Sequence, residues 1–115
     1  MMGAEPNDAL IAAAADCVGK GQVCLAHCLL ALADGEKDML GCSKAVSQTL
    51  ALCTALQGLA TQQPGYLKAQ AKIALDACLD CEKECLKHET KHKQCKDCGD
   101  ACAACAKQCK ALLGA

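Results

Sequence analysis

Large aromatic side chains are almost missing from this sequence: it has no Phe and no Trp, and Tyr66 is its one aromatic residue. Aromatics normally supply much of the area a core buries, so this core must be built from other side chains. A surface that stacks nucleic-acid bases is also excluded. An excess of one charge sign is missing as well. Lys plus Arg is 12 against 13 for Asp plus Glu, a formal net charge of −1, and a phosphate-binding surface needs a basic excess. No uninterrupted run of about 18 apolar residues occurs, which argues against a membrane span. No basic, apolar, small-residue leader precedes the Ala-rich stretch. As it stands the chain therefore reads as cytoplasmic, and the alternative is an exported mature form whose leader has been removed before Met1-Met2.

What the sequence has in excess is cysteine, 13 in 115 residues, far above ordinary usage. The length suits one domain with one core, residues 1–115. Without aromatics, Ala, Leu and Cys must fill that core. Free cysteine buries as readily as a small hydrophobe.

Turn signals cut the chain into four helical segments. Pro6-Asn7-Asp8 offers a cap for a first helix ending near Ala33, and Asp34-Gly35 reads as its C-terminal turn. A second helix is predicted from about Glu36 to Leu59. Thr61 to Gly65, with Pro64, is the clearest break. A third helix is predicted from Tyr66 to His88 and a fourth from beyond His92 to about Leu113. Gly19 and Gly21 weaken the first helix without splitting it. Short connections favour antiparallel neighbours, so the expected fold is all-α, an up-down-up-down four-helix bundle.

At about 100° per residue the cysteines form one stripe on each helix. Cys17, Cys24 and Cys28 lie within roughly 40°, Cys42 and Cys53 within about 20°, and Cys78, Cys81 and Cys85 within about 60°. Cys95, Cys98, Cys102, Cys105 and Cys109 span about 80°. Random placement would scatter them around each helix. One inward face per helix is what a bundle requires, and Val46, Thr49 and Leu56 continue the second stripe with small or apolar side chains.

Four readings compete for these thiols. As core filler alone they are too many. As disulfides, the pairs three or four residues apart on one helix stand about 5–6 Å apart at Cβ, whereas a disulfide needs about 3.8 Å. Bridges between helices stay open, although the count is odd. Zinc or an iron–sulfur cluster is the third reading, and the run Cys95 to Cys109 superficially resembles a ferredoxin motif. However, it keeps helical phase throughout and no Pro or Gly follows Cys109. Structural zinc favours closed sets of four ligands on turns. The fourth reading is Cu(I), a soft ion matched to thiolates. Cys24/Cys28, Cys81/Cys85, Cys98/Cys102 and Cys105/Cys109 offer turn-spaced pairs for it. One monovalent cation per thiolate also leaves a buried interior neutral, which predicts a capacity near one Cu(I) per cysteine.

The two ends of such a bundle differ. One gathers Met39, His88 and His92 with His27 a turn below, weaker ligands suited to admitting metal. The alternative is that His88 and His92 are solvated residues of a Lys-rich turn. The other end gathers Leu10, Ile11, Leu59, Leu67, Leu112 and Leu113 as a dry plug. Leu25, Leu29 and Leu32 lie off the cysteine stripe and suit packing between helices or an oligomer interface.

The segment Cys17-x6-Cys24-Leu-Ala-His27-Cys28-Leu, the segment Cys78-x2-Cys81-Glu-Lys-Glu-Cys85-x2-His88 and the ladder Cys95 to Cys109 resemble the bacterial copper storage protein family, Csp. The resemblance covers essentially the whole chain. It implies a cysteine-lined four-helix bundle that stores many Cu(I) ions on all thirteen thiols, commonly as a homotetramer. It also implies exchange with a copper chaperone or a recipient copper enzyme. Exported members tend to carry Met at the mouth and cytosolic members His; Met39 beside His88 and His92 leaves both open. Zinc, an iron–sulfur cluster, a single-ion chaperone or a thiol redox sensor are the competing functions. No nucleophile–base–acid arrangement suggests an enzyme.

Overall fold

A proline-free, Ala- and Leu-rich stretch forms the longest helix, α1 (Asp8–Ala33). It is followed by a 3₁₀ turn (Lys37–Met39), α2 (Leu40–Ala60), α3 (Leu67–Leu86) and α4 (Lys93–Leu113). The computed structural model describes residues 7–62 and 65–114. Met1-Met2, Pro6 and Pro64, to which the sequence assigns a start, a cap and a break, lie outside them. Among the described residues there is no strand.

α1 packs on α2 and α4, and α3 packs on the same two, so the four helices close a ring around one axis. Neighbours run antiparallel. Moving along α1 from Cys17 to His27, the contact on α4 falls from Cys102 to His92. Likewise Cys42 meets Cys85 while Cys53 meets Cys78. This is the up-down-up-down bundle that the short connections predict. Gly21 faces α2, and a Cβ there would come 2.9 Å from Leu50 Cδ2.

The helix ends explain where the boundaries differ from expectation. Gly35, at φ +92°, takes the left-handed turn that glycine adopts without strain. Its N–H donates to Leu32 and that of Glu36 to Ala31, the paired bonds of a Schellman stop. Glu36 itself takes φ −79° and ψ 76°, outside helical backbone, so a 3₁₀ turn (Lys37–Met39) intervenes and α2 starts at Leu40 rather than at Glu36. Asn7 occupies the cap position of α1 but makes no cap bond. Its side-chain amide instead donates to the Ala60 carbonyl, tying the start of α1 to the end of α2. α3 stops at Leu86, two residues short of His88, in a run of backward i→i−3 bonds.

By length and composition α1 is apolar enough to cross a membrane, although its longest uninterrupted apolar run, Ala9 to Ala15, is short. In the fold its stripe Leu10, Ala14, Cys17, Gly21, Cys24, Cys28 and Ala31 is buried against the other helices.

Candidate metal centre

On α1, α3 and α4 cysteine and alanine recur every three or four residues along most of the inner face, and α2 adds Cys42 and Cys53 between Val46, Thr49 and Leu56, so the axis of the bundle is lined by sulfur. All thirteen thiols are buried and none is bridged. The closest sulfurs lie on different helices: Cys53 and Cys78 at 3.5 Å, Cys17 and Cys102 at 3.7 Å, Cys42 and Cys85 at 3.7 Å. The turn-spaced pairs Cys24/Cys28 and Cys81/Cys85 stand at 3.9 Å. Contacts across helices are thus as close as those along one helix, which the phase argument alone did not reveal.

The sulfurs form groups whose ligand atoms lie within 4.8 Å of one another: Cys17, Cys53, Cys78 and Cys105; Cys24, Cys28, Cys42 and Cys95; Cys24, Cys85 and Cys98; and Cys81, Cys98 and Cys102. Cys24 and Cys98 each belong to two groups, and the Cys17–Cys102 contact joins the first group to the last. The result is one continuous column rather than separate closed sites. Cys109 stands outside these groups but shares a hydrogen bond with Cys105.

Packed thiols divide into donors and acceptors. A Cys102 S–H pulls the Cys17 thiol down to about 5. Cys42, Cys98 and Cys105 are lowered in the same way, foremost by Cys24, Cys102 and Cys109 respectively. Those three partners are raised, because giving up the shared hydrogen forfeits the bond and burial penalises the charge. A column of this kind presents soft sulfur donors in a dry setting, where any anion must be matched by a cation. Soft metal ions fit both requirements.

The ends of the column are as unlike as the sequence suggests. At one, Leu10, Leu56 and Leu67 are buried, with Ile11, Leu59, Leu112 and Leu113 packed against them. At the other, Met39 is fully buried and His92 is 7% exposed. His27 Nε2 lies 2.7 Å from His92 Nδ1, and the rings of His88 and His92 stand 6.4 Å apart. His88, in the turn after α3 with its side chain 10% exposed, and His92 are therefore packed parts of the end of the bundle rather than solvated residues. His88 approaches Asp38 only at 3.9 Å.

Sequence reasoning missed Glu36. Its Oε1 accepts from His92 Nε2 at 3.2 Å and from Lys91 Nζ at 2.7 Å. Lys91 above all holds the carboxyl below its usual range. An acid just after the glycine stop of α1, at the same end as two histidines, was the available signal. Of the off-stripe leucines, Leu25 and Leu32 pack against the core, whereas Leu29 faces outward at 56% exposure.

A family model described as copper storage protein, Csp, matches residues 4–114. Among curated proteins, none matches the chain significantly.

Proposed function

Because the chain belongs to the copper storage protein family, we propose that its thiols take up many Cu(I) ions, approaching one per cysteine, as a single metal-storing domain. The observation that carries this reading is the continuity of the thiol column, in which groups share Cys24 and Cys98. Shared ligands suit an ion that accepts two or three thiolates and lets one sulfur bridge two metals. All of Cys17, Cys24, Cys28, Cys42, Cys53, Cys78, Cys81, Cys85, Cys95, Cys98, Cys102, Cys105 and Cys109 serve as ligands. His27, His88, His92 and Met39 form the end through which metal passes. Titrating fully reduced protein with Cu(I) in competition with a chelator tests the reading; saturation at one or two ions would overturn it.

Two of the groups hold four thiols each, a number that also suits tetrahedral zinc. A divalent ion on four thiolates leaves two net negative charges per site, which a dry interior disfavours. A zinc protein would saturate with the groups of four filled and leave the remaining thiols reactive, whereas copper storage consumes them all. The family is one of storage proteins rather than enzymes. Val23, Leu29 and Leu30, more than half exposed on α1, support self-association, as a tetramer by the family resemblance. Exchange partners would be a copper chaperone or a copper enzyme.

A further inference from the structure

Glu36, Lys91, His92 and His27 at the mouth are arranged in a definite order. Lys91 Nζ and His92 Nε2 meet the same oxygen of Glu36, at 2.7 and 3.2 Å. The other ring nitrogen of His92, Nδ1, faces His27 Nε2 at 2.7 Å. A carboxylate can only accept, so the hydrogen of the His92–Glu36 bond sits on Nε2. A neutral ring held this way carries its lone pair on Nδ1 and points it toward His27. Metal-binding imidazoles are commonly set in this manner, with the distal N–H given to a carboxylate that fixes tautomer and orientation.

The position of that lone pair connects the mouth to the column. His27 immediately precedes Cys28, and His92 lies one turn ahead of Cys95 on α4. Cys28 and Cys95 both belong to the group that also contains Cys24 and Cys42. A metal ion held by His92 would therefore sit one residue or one turn from the outermost thiols. In the structure as it stands the Nδ1 lone pair is taken by the His27 N–H, and the His92 side chain is only 8% exposed. Loading consequently requires His27 to turn aside and release that atom.

We propose that Glu36 is the positioning residue of the mouth, fixing His92 so that Nδ1 is the first protein atom to take Cu(I) from an external donor. The proposal rests on the storage reading above. The step is a ligand exchange: the donor's bond to Cu(I) breaks, the His92 Nδ1–Cu bond forms, and His27 keeps its hydrogen. Nothing is oxidised or reduced. Asp16, an exposed carboxylate on α1 paired with Lys20, serves as a control.

The test supplies Cu(I) as a coloured bicinchoninate complex to the full reduced chain and follows the early rate and the final capacity. Glu36→Ala should slow early loading about tenfold, the lower bound typical of losing such a carboxylate, with unchanged final capacity. Glu36→Gln keeps an acceptor oxygen for Nε2–H and should restore most of the rate; Asp16→Ala should leave it unaltered. Nitrogen NMR of His92 should place the hydrogen on Nε2 in the parent and in Glu36→Gln, and shift it toward Nδ1 in Glu36→Ala. Parental loading rates in Glu36→Ala, or equal slowing in Glu36→Ala and Glu36→Gln, would overturn the proposal. So would a parental His92 with its hydrogen on Nδ1, whatever the variants do. A parental capacity of one or two ions would instead overturn the storage reading itself, so the two failures are distinguishable.

Discussion

Cys109 and Cys24 are the same residue type at the same depth, yet their neighbours make them unequal. Cys109 has Cys105 as its hydrogen-bonding partner and lies outside the grouped sulfurs, beside the apolar plug. Cys24 belongs to two groups at once, as does Cys98. On the storage reading Cys109→Ala should therefore lower the Cu(I) capacity by about one ion at most, whereas Cys24→Ala or Cys98→Ala should remove more than one, since each lies in two groups and would bridge them. Metal analysis of the saturated variants checks this, and equal losses would argue against shared ligands. At this scale the thiols were legible because helical phase is a property of sequence spacing alone. Glu36 was not, because its importance comes from the Gly35 turn and from a loop residue fifty-odd positions away in sequence, His92.

The helices themselves were legible nearly to the residue, because Gly35 and Gly114 mark stops with left-handed φ and apolar periodicity fills the rest. The start of α2 was misplaced because Glu36, leaving the Schellman turn, takes φ −79° and ψ 76°, outside helical backbone. The N-terminus of α4 is similar: His92 sits at its cap position without a cap bond, and its ring nitrogens face Glu36 and His27 instead. Glycines within α1 separate propensity from packing. Nothing lies within 4 Å of a Cβ built on Gly19, so Gly19→Ala should stabilise the protein by about 1 kcal/mol. At Gly21 the same gain is set against a contact of 2.9 Å with Leu50 Cδ2. Gly21→Ala should therefore stabilise less than Gly19→Ala, or destabilise, depending on how far Leu50 yields. Urea unfolding of the two variants measures the difference; a larger gain at Gly21 would mean that α1 and α2 are less tightly apposed.

For the molecule as a whole, the absence of aromatics and the abundance of thiols are two sides of one design. Alanine and cysteine on the inner faces leave each helix with modest apolar area to bury, so the metal-free bundle gains less from hydrophobic burial than an aromatic-rich core of this size. Copper bound between helices would compensate, because an ion that binds only the folded state stabilises it by mass action. Loaded protein should unfold at a markedly higher temperature than the reduced apo-protein, and a strong chelator should reverse the gain. The same linkage fixes the sign of the pH dependence. Thiolates bind metal, so each thiol must lose its proton first. Cys24, Cys53, Cys102 and Cys109 are all held above the ordinary thiol value of 9.0 and are protonated near neutral pH. Cys17, Cys42, Cys98 and Cys105 are shifted the other way by the thiols that donate to them, so they give up their protons more readily. Loading near neutrality should thus liberate protons, and apparent Cu(I) affinity should fall as pH falls, because protons compete for the same sulfurs. Competition against a chelator corrected for its own protonation, at pH values on either side of neutrality, reads this out. An affinity that did not weaken in acid would mean that the metal binds groups other than these thiols.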